Sequence, residues 1–471
     1  MGSLNQAWNI TTGALAADQA AISVVSGNIA NANTAGYTTQ AVQWGTADVV
    51  MLGGQSQPAG TTIASVASQR DRVLNQRIDQ QSQEEAGTAA RLSALTDLQA
   101  VFAGATSTSG GTSSVADIGQ QMTSLFSSFS SLASDSTSAS LRNGVLSAAQ
   151  SLASTFNQVS ASLTAQRSGL DATVGSAVQQ VNSLTTDIAS LNAKISSTSP
   201  DGDGGTLEDQ RQYDLQQLSQ LIGIHQIAND SNSLTVTTAN GAVLVAGTSS
   251  TALQASSVSG VTHILIGGQD ETAALAGSGG QLGGVLEARD SDIPSAESAV
   301  DQLAWSVANA VNSQQANGTD ANGNPGAAIF ATGGSESGAA AALSVTLTDP
   351  DGVAAAASGN GSQDGSNATA LASLASSAIA GGQTPSDAYS ALVSQVGAKV
   401  SQATVAQTSQ SAALTQLQSQ QSALSSVSLN DQAALLETYE QSYQAAAKVF
   451  TILDTVVTGA LNLGVETAVS A

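Results

Sequence analysis

The sequence predicts a mainly α-helical, multi-domain, elongated protein with smaller β-rich parts and with long helices at both ends that form a coiled coil or bundle. Three observations lead to this fold class. Apolar residues recur at helical spacing over most of the chain, β-branched residues cluster in short stretches only, and both ends carry a seven-residue apolar repeat. A chain of 471 residues is too long for one hydrophobic core and long enough for about three domains.

The last long helix, predicted at 428–463, carries the more regular repeat. Large apolar or aromatic residues return at every seventh position, with a second set three positions later, as in a helix that buries one stripe against another helix. Ser428 and Asp431 have the spacing of a helix-capping pair. The predicted seam on this helix consists of Leu436, Tyr439, Tyr443, Phe450, Leu453 and Val457.

Residues 4–29 carry the same repeat at the other end of the chain, with Thr11 and Asp18 as polar interruptions. The predicted N-terminal seam consists of Leu4, Trp8, Leu15, Ile22, Val25 and Ile29. Two interpretations are open. The helices are either two surface helices that pack on one core, or terminal helices that pair with each other while the rest of the chain is looped out.

Composition excludes several classes of function. The chain has 11 Lys+Arg against 35 Asp+Glu, and its formal net charge of -24 makes nucleic acid and anionic membranes poor partners. The absence of cysteine excludes disulfides and thiolate chemistry. No apolar run approaches the roughly 20 residues of a membrane span, so no membrane insertion is expected. The N-terminus lacks the features of a Sec signal peptide, which leaves export by a dedicated machine open.

Changes in periodicity divide the chain into five predicted segments. They are an N-terminal axial helix at 1–40, a helical domain with a long helical hairpin at 41–222, a β-rich domain at 223–280, a helical domain with a C-terminal arm at 281–427 that includes an irregular or β insertion at 317–365, and a C-terminal axial helix at 428–471. Helices are predicted at 71–103, 115–198, 207–222, 281–289 and 386–426. A loop is predicted at 104–114, where Gly, Ser and Thr dominate, and a turn at 200–205.

The first helix is followed by a run of Asn and Gly that predicts its end near residues 31–36. Residues 28–40 read NIANANTAGYTTQ, which resembles the signature of bacterial flagellar axial proteins, the rod, hook and hook-associated family. Thr39 stands where many hook-associated members have Arg. Residues 435–449 resemble the other terminal signature of that family. The motif residues predicted to serve the interface are Asn28, Asn31, Asn33, Gly36 and Tyr37.

Three internal stretches narrow the resemblance. Residues 202–224, 280–290 and 312–330 resemble segments of the hook-associated protein 1 family that hook and rod proteins lack. The resemblance implies a structural subunit that joins the flagellar hook to the filament and self-assembles through its terminal helices after type III export. It also implies a homo-oligomeric ring, contacts with hook protein and a second hook-filament junction protein, a cytoplasmic export chaperone, and an extracellular location in the flagellum.

No constellation in the chain favours catalysis, and no cofactor or metal is expected. Asp320, Asn322 and Asn324 begin a calcium-loop spacing, but Pro325 and Ala331 occupy positions that such a loop needs for Gly and an acidic residue. The two histidines, at 225 and 263, lie on predicted strands without a neighbouring ligand in the sequence. Two alternatives are a hook or rod subunit proper and a secreted acidic adhesin or enzyme with helical arms.

Overall fold

A computed structural model describes residues 2–47, 50–52, 55–57, 60–102, 117–197, 205–229, 233–258 and 260–469. Twelve helices lie within these ranges: α1 Gly2–Asn31, α2 Arg72–Phe102, α3 Ile118–Ser134, α4 Ala139–Ser197, α5 Gly205–Leu221, α6 Thr272–Leu275, α7 Gly280–Glu287, α8 Ile293–Ala316, α9 Ala339–Ala342, α10 Ser366–Ser373, α11 Pro385–Ser425 and α12 Leu429–Val469. A π-helical turn at Ala288–Asp292 joins α7 to α8.

The strands of the described ranges form six small antiparallel sheets. Their pairing orders are β1-β4, β2-β3, β5-β6-β7-β8, β11-β10-β9, β12-β15 and β13-β14. The strands are β1 Gln40–Thr46, β2 Val50–Leu52, β3 Gln55–Gln57, β4 Thr61–Ser68, β5 Ile224–Ala228, β6 Leu234–Thr238, β7 Val243–Ala246, β8 Ser249–Ser250, β9 Leu253–Val258, β10 Val261–Ile266, β11 Gln269–Asp270, β12 Gly318–Thr319, β13 Phe330–Ala331, β14 Ser344–Val345 and β15 Ala356–Ala357.

The predicted fold class is confirmed, with long terminal helices and small β parts on a helical body. The helices expected at 71–103, 207–222 and 386–426 correspond to α2, α5 and α11. The helical stretch expected at 115–198 is interrupted at 135–138, where the Asp135 carboxylate accepts a bond from the backbone N–H of Thr137 and so favours a turn. The predicted loop at 104–114 and most of the predicted turn at 200–205 lie outside the described residues.

Two hydrophobic clusters share the 59-residue helix α4. Its first half packs with α2, α3, α8 and α11 around the fully buried rings of Phe129 and Phe156. Its second half packs with α5, α7 and the strands β5–β10, where Val181, Leu218 and Ile264 are buried together. The β-rich part therefore shares a core with helices on both sides of it. The domain boundaries proposed from the sequence stay a prediction.

Side-chain amides on helices bind strand backbones in a repeated geometry. In each case the amide oxygen accepts the backbone N–H of one residue and the amide nitrogen donates to the carbonyl of the same residue. The pairs in the body are Gln83 with Ile224, Asn182 with Leu253, Asn192 with Leu234, and Asn312 with Phe330. The amide thus replaces a neighbouring strand, so the short sheets are attached to the helices through neutral groups.

The glycine-rich helix α7 packs against α2 at backbone distance. A Cβ added to Gly284 would lie 2.0 Å from the carbonyl oxygen of Gly87, so only glycine fits there. The π-helical turn that follows places two charged side chains in the interior. Arg289 donates to Asp171 at 2.7 Å and to the carbonyl of Thr262 at 2.7 Å, while Asp292 accepts from Arg91 and Lys399. The helix predicted at 281–289 therefore continues as a junction between α2, α4, α11 and β10.

Candidate assembly interface

The two terminal helices form an antiparallel pair. Successive residues of α1 contact residues of α12 that come earlier and earlier in the sequence. Trp8 lies against Phe450, Asp18 against Ser442 and Asn28 against Gln432. The Trp8 and Phe450 ring centroids are 4.4 Å apart at an interplanar angle of 49°, a tilted aromatic contact. The interpretation in which the two ends of the chain pair with each other is the one that the structure adopts.

The predicted seam of α12 lies on the side of the helix that faces the protein. Leu436, Tyr439, Phe450, Leu453 and Val457 are each half-buried, whereas their immediate neighbours along the helix are mostly exposed. Tyr443 is 38% exposed, at the margin of the contact. The seven-residue repeat therefore predicts the facing side of α12.

On α1 the most deeply buried stripe is rotated from the predicted one. Leu4, Trp8, Leu15, Ile22 and Ile29 are half-buried, and Val25 alone of the predicted set is fully buried. The side chains under the helix pair are mostly small or polar: Thr11, Ala17, Asp18, Ala21, Val25 and Asn28. Small side chains let the helix axes approach, so the larger apolar residues flank the contact instead of filling it.

The two polar interruptions of the N-terminal repeat are satisfied by hydrogen bonds. Asp18 accepts a bond of 2.8 Å from the Ser442 hydroxyl on α12, and Thr11 donates to the carbonyl of Ala7 at 2.7 Å. A buried carboxylate needs such a partner, because desolvation without one is costly. The pair Asp18 and Ser442 consequently fixes the register of the two helices. In the sequence, Asp18 is visible as a polar residue within the apolar repeat, but there it looks like an imperfection of the repeat and not like a residue that sets the register.

Asn28 is the centre of the motif that follows α1. Its side chain is 0% exposed and uses its whole hydrogen-bonding capacity. The amide nitrogen donates to the carbonyl of Gln40 at 2.8 Å and to Gln432 Oε1 at 2.9 Å. The amide oxygen accepts from the backbone N–H of Gln40 at 3.0 Å and from the Tyr37 hydroxyl at 2.8 Å. One residue thus joins α1, the motif, β1 and α12.

The remaining motif residues shape the exit from α1. Asn31 donates to the carbonyl of Gly27 at 3.0 Å and accepts from Thr34, while Asn33 is exposed. Gly36 has φ 79°, and a Cβ there would lie 3.0 Å from Cβ of Tyr213 on α5. Burial, followed by the nearby Asp209 carboxylate, raises the pKa of Tyr37, whose hydroxyl is used within the chain. The assignment of these residues to contacts between subunits stays a prediction.

Two threonines attach the terminal pair to the body. The backbone N–H of Thr39 donates to the carbonyl of Ser425 at 3.0 Å, and the Thr38 hydroxyl donates to Asp209 at 2.7 Å. Arg70 forms an ion pair of 2.9 Å with Glu208, beside Asp209 on α5. Thr39 is therefore used to bind the end of α11, just before α12 begins. The sequence does not predict this connection to α5, because nothing in the local pattern couples Thr38 to Asp209, 171 positions away.

The outward side of α12 is apolar as well. Between residues 429 and 459, where the side chains of α12 are described, the exposed large hydrophobic ones besides Tyr443 are Leu429, Leu435, Val449, Ile452 and Val456, with exposed fractions from 40% to 58%. Val449, Ile452 and Val456 are spaced i, i+3 and i+7 and so form one ridge, which we call the outer ridge. A helix with apolar residues on opposite sides is usually covered on both.

The remaining candidates from the sequence are structural in this chain. Asp320 accepts the backbone N–H groups of Asn322 and Asn324 at 2.9 and 2.8 Å, which is a side-chain-stabilised turn. His263 lies 2.7 Å from Asp270 on an exposed hairpin, and hydrogen bonds from Thr272 and then His263 lower the pKa of Asp270. Within the described ranges, no group of three His, Asp or Glu is placed to hold a metal ion.

Comparison with known proteins agrees with this architecture. Residues 108–330 match the family model described as flagellar hook-associated protein FlgK helical domain, and residues 9–38 match that of the flagella basal body rod protein. The chain resembles the solved structure of the flagellar hook junction protein FlgK from Burkholderia pseudomallei, with a TM-score of 0.66 at 18% identity, over 74% of this chain and 100% of that one.

Two curated relatives carry the description flagellar hook-associated protein 1. The Bacillus subtilis protein is 28% identical, over 95% of this chain and 96% of its own length. The Escherichia coli protein is 28% identical over 329 residues, and the match spans 68% of this chain but 58% of that relative.

The paired terminal helices, the motif at the exit of α1 and these matches point to one class of protein, the flagellar axial proteins. Within that class, the chain is similar to flagellar hook-associated protein 1. Among the described helices, none is both long and apolar enough to cross a membrane.

Proposed function

We propose that this protein is an extracellular structural subunit of the bacterial flagellum that joins the hook to the filament. In this proposal it is exported through the flagellar type III system with the help of a cytoplasmic chaperone. It then forms a homo-oligomeric ring that contacts hook protein on one side and a second junction protein on the other. In this proposal the role is structural and non-catalytic.

The observation that carries the proposal is the second apolar side of α12. One side of this helix packs on α1, and the outer ridge on another side leaves Val449, Ile452 and Val456 about half exposed. Exposed apolar ridges of this kind are stabilised by burial against further helices. A set of identical chains around a common axis supplies such helices, because each α1–α12 pair can then contact neighbouring pairs.

The distribution of charge supports assembly at this end of the molecule. The first 69 residues carry two charged side chains, Asp18 and Asp48, whereas the whole chain has a net charge of -24. Residues 441–465 of α12 carry one cation, Lys448, and one anion, Asp454. Identical acidic chains repel one another through most of their surface, so contact is least opposed where charge is nearly absent.

Electron microscopy of a strain that lacks this protein tests the proposal. The expected result is cells with completed hooks and no filaments, with filament subunits lost to the medium. Complementation with the full chain should restore filaments. Normal filaments without the protein would contradict the proposal, and cells that lack hooks would favour the alternative of a hook or rod subunit.

A further inference from the structure

The ribbon formed by β1 and β4 is a β structure without a buried residue. All of its residues are half-buried or exposed, although an isolated two-stranded ribbon is marginally stable in water. It is held along α1, where Gly60 approaches Ile10 and the Gln40 backbone is bound by Asn28. Its structure is therefore fixed by the terminal helices while much of its own surface stays open.

One face of the ribbon is apolar. Val42 pairs with Val66 and Trp44 pairs with Ile63, and the register shifts by one residue between Gln43 and Trp44. Val42 and Trp44 are two apart on β1, and each shares a face with the residue directly opposite, so the shift brings Val66 and Ile63, three apart on β4, to the same face. Trp44 is the most exposed of the four at 43%, and its ring centroid lies 5.9 Å from that of Tyr439 on α12. The indole thus rests on its own α12 along one side and is open on another.

We propose that this apolar ribbon face, centred on Trp44, docks against the outer ridge of α12 in a second copy of the chain. This inference rests on the proposed function, because it names the surfaces through which the subunits of that assembly meet. A ridge at i, i+3 and i+7 offers three branched side chains in line, a form that the apolar face of a ribbon can cover.

Charge favours a second copy as the occupant. Between Gln40 and Gln69 the only charged residue of the sequence is Asp48, and Val449, Ile452 and Val456 lie in a part of α12 whose charges sum to zero. Two chains of net charge -24 can therefore bring these two surfaces together without placing like charges opposite each other. A partner selected by charge would instead be expected on the acidic body.

The contact is also of the kind that builds a ring. The ribbon face and the outer ridge are different surfaces, so each copy would offer its ribbon to one neighbour and its ridge to the next. Such a head-to-tail contact repeats around an axis and closes into a ring or continues as a helical tube. A symmetric contact of ribbon with ribbon would instead end at a dimer.

Site-directed cross-linking in assembled flagella tests this arrangement, and the absence of cysteine in the chain makes it direct. Trp44→Cys and Ile452→Cys chains are produced together in a strain that lacks the native protein. Flagella are isolated and treated with a short bismaleimide, and the products are separated under denaturing conditions. The expected result is a cross-linked dimer at least tenfold more abundant than with either variant alone. Thr46→Cys, on the same ribbon, is a second probe if Trp44→Cys is not incorporated.

A matched control replaces Ile452→Cys by Val405→Cys, which lies on α11 and is 69% exposed, and it should give no dimer. If isolated flagella contain both the Trp44→Cys and the Ile452→Cys chains but no cross-linked dimer forms, the inference is overturned while the proposed function stands. A dimer from Trp44→Cys alone also overturns it, because that product shows ribbons facing ribbons. Absence of the unsubstituted protein from flagella overturns the proposed function and the inference with it.

Discussion

The side chain of Asn28 donates a 2.9 Å hydrogen bond to the side chain of Gln432, across 404 positions of sequence. Both residues are buried, and both lie where a terminal helix meets the body of the protein. The bond joins the end of α1 to the first turn of α12. The other bonds of Asn28 hold Tyr37 and the Gln40 backbone, so the motif after α1 links the two ends of the chain.

Asn28→Ala should therefore loosen α12 from α1. The substitution removes four hydrogen bonds and leaves buried partners unsatisfied, and we expect a loss of about 3 kcal/mol in the local stability of the pair. Hydrogen exchange of α12 amides should be about 100-fold faster as a result. Asn33→Ala, at an exposed position of the same motif, is the control and should leave exchange unchanged. Equal exchange in the two variants would show that Asn28 does not hold the pair.

Two aspartate substitutions on α12 should separate pairing within the chain from assembly between chains. Phe450→Asp places a carboxylate against Trp8, so it should destabilise the pair by several kcal/mol, on the order of the desolvation cost of a charge, and speed exchange in α1. Ile452→Asp changes a side chain that is 58% exposed and should leave monomer exchange unchanged. Both variants should be depleted from isolated flagella. Normal incorporation of Ile452→Asp would remove the outer ridge from the assembly surface.

Several of the long helices, such as α1, α2, α8 and α11, could be predicted from the sequence to within a few residues, because many of their ends carry local signals. Asn and Gly follow α1, Pro294 lies in the first turn of α8, and Pro385 begins α11. The turn at 135–138 and the π-helical turn at Ala288–Asp292 could not be predicted. The first is a Ser/Thr-rich stretch like many that remain helical here, and the second is fixed by tertiary partners of Arg289 and Asp292.

At the candidate interface, too, some features follow from local sequence patterns and others depend on tertiary contacts. Repeat positions on α12 fall on the half-buried side of that helix, where Phe450 contacts Trp8 of α1. On α1 most of the repeat positions are only half-buried, whereas the small side chains of Ala17 and Ala21 are fully buried. The motif marks Asn28 as notable, but its partner Gln432 and the attachment of Thr38 to Asp209 depend on the folded topology. No local pattern encodes such contacts.

Gly284→Ala should destabilise the body of the protein. The added Cβ would lie 2.0 Å from the carbonyl oxygen of Gly87 and 2.9 Å from its carbonyl carbon, so α7 must move away from α2. We expect a loss of about 3 kcal/mol in the free energy of unfolding, typical of overpacking against rigid backbone. Denaturant titration followed by circular dichroism measures it.

Gly175→Ala is the matched control for that substitution. Gly175 lies within α4 with no atom within 4 Å of the added Cβ, so alanine should stabilise the protein by up to about 1 kcal/mol through its higher helix propensity. The two variants carry the same chemical change in helices and are expected to shift stability in opposite directions. A shift of the same sign in both would contradict backbone contact as the reason for glycine at 284.

A buried carboxylate at Asp79 should make stability depend on pH. The side chain is 1% exposed on α2, and its Oδ2 accepts bonds of 2.8 Å from Gln212 and Gln226. Its Oδ1 has no hydrogen-bond partner among the described residues. Burial raises the pKa of Asp79 to about 6, and the two amide bonds lower it only in part. The folded protein therefore binds a proton at this position more tightly than the unfolded chain does.

The pKa of Asp79 is higher in the folded protein than in the unfolded chain. The contribution of protonated Asp79 to the free energy of unfolding is therefore fully present below about pH 4 and is lost as the pH rises through about 6. Asp79→Asn cannot ionise. It should be more stable than the unsubstituted protein by about 3 kcal/mol at pH 7.5, on the order of two pKa units, and by much less at pH 4. Denaturant titrations of both chains at the two pH values measure this difference, in which the other titrating groups cancel. Asp97→Asn, which removes a carboxylate from an exposed position of the same helix, is the control. An equal gain for Asp79→Asn at both pH values would mean that the pKa of Asp79 is the same in the folded and unfolded chains, as for a solvated carboxylate.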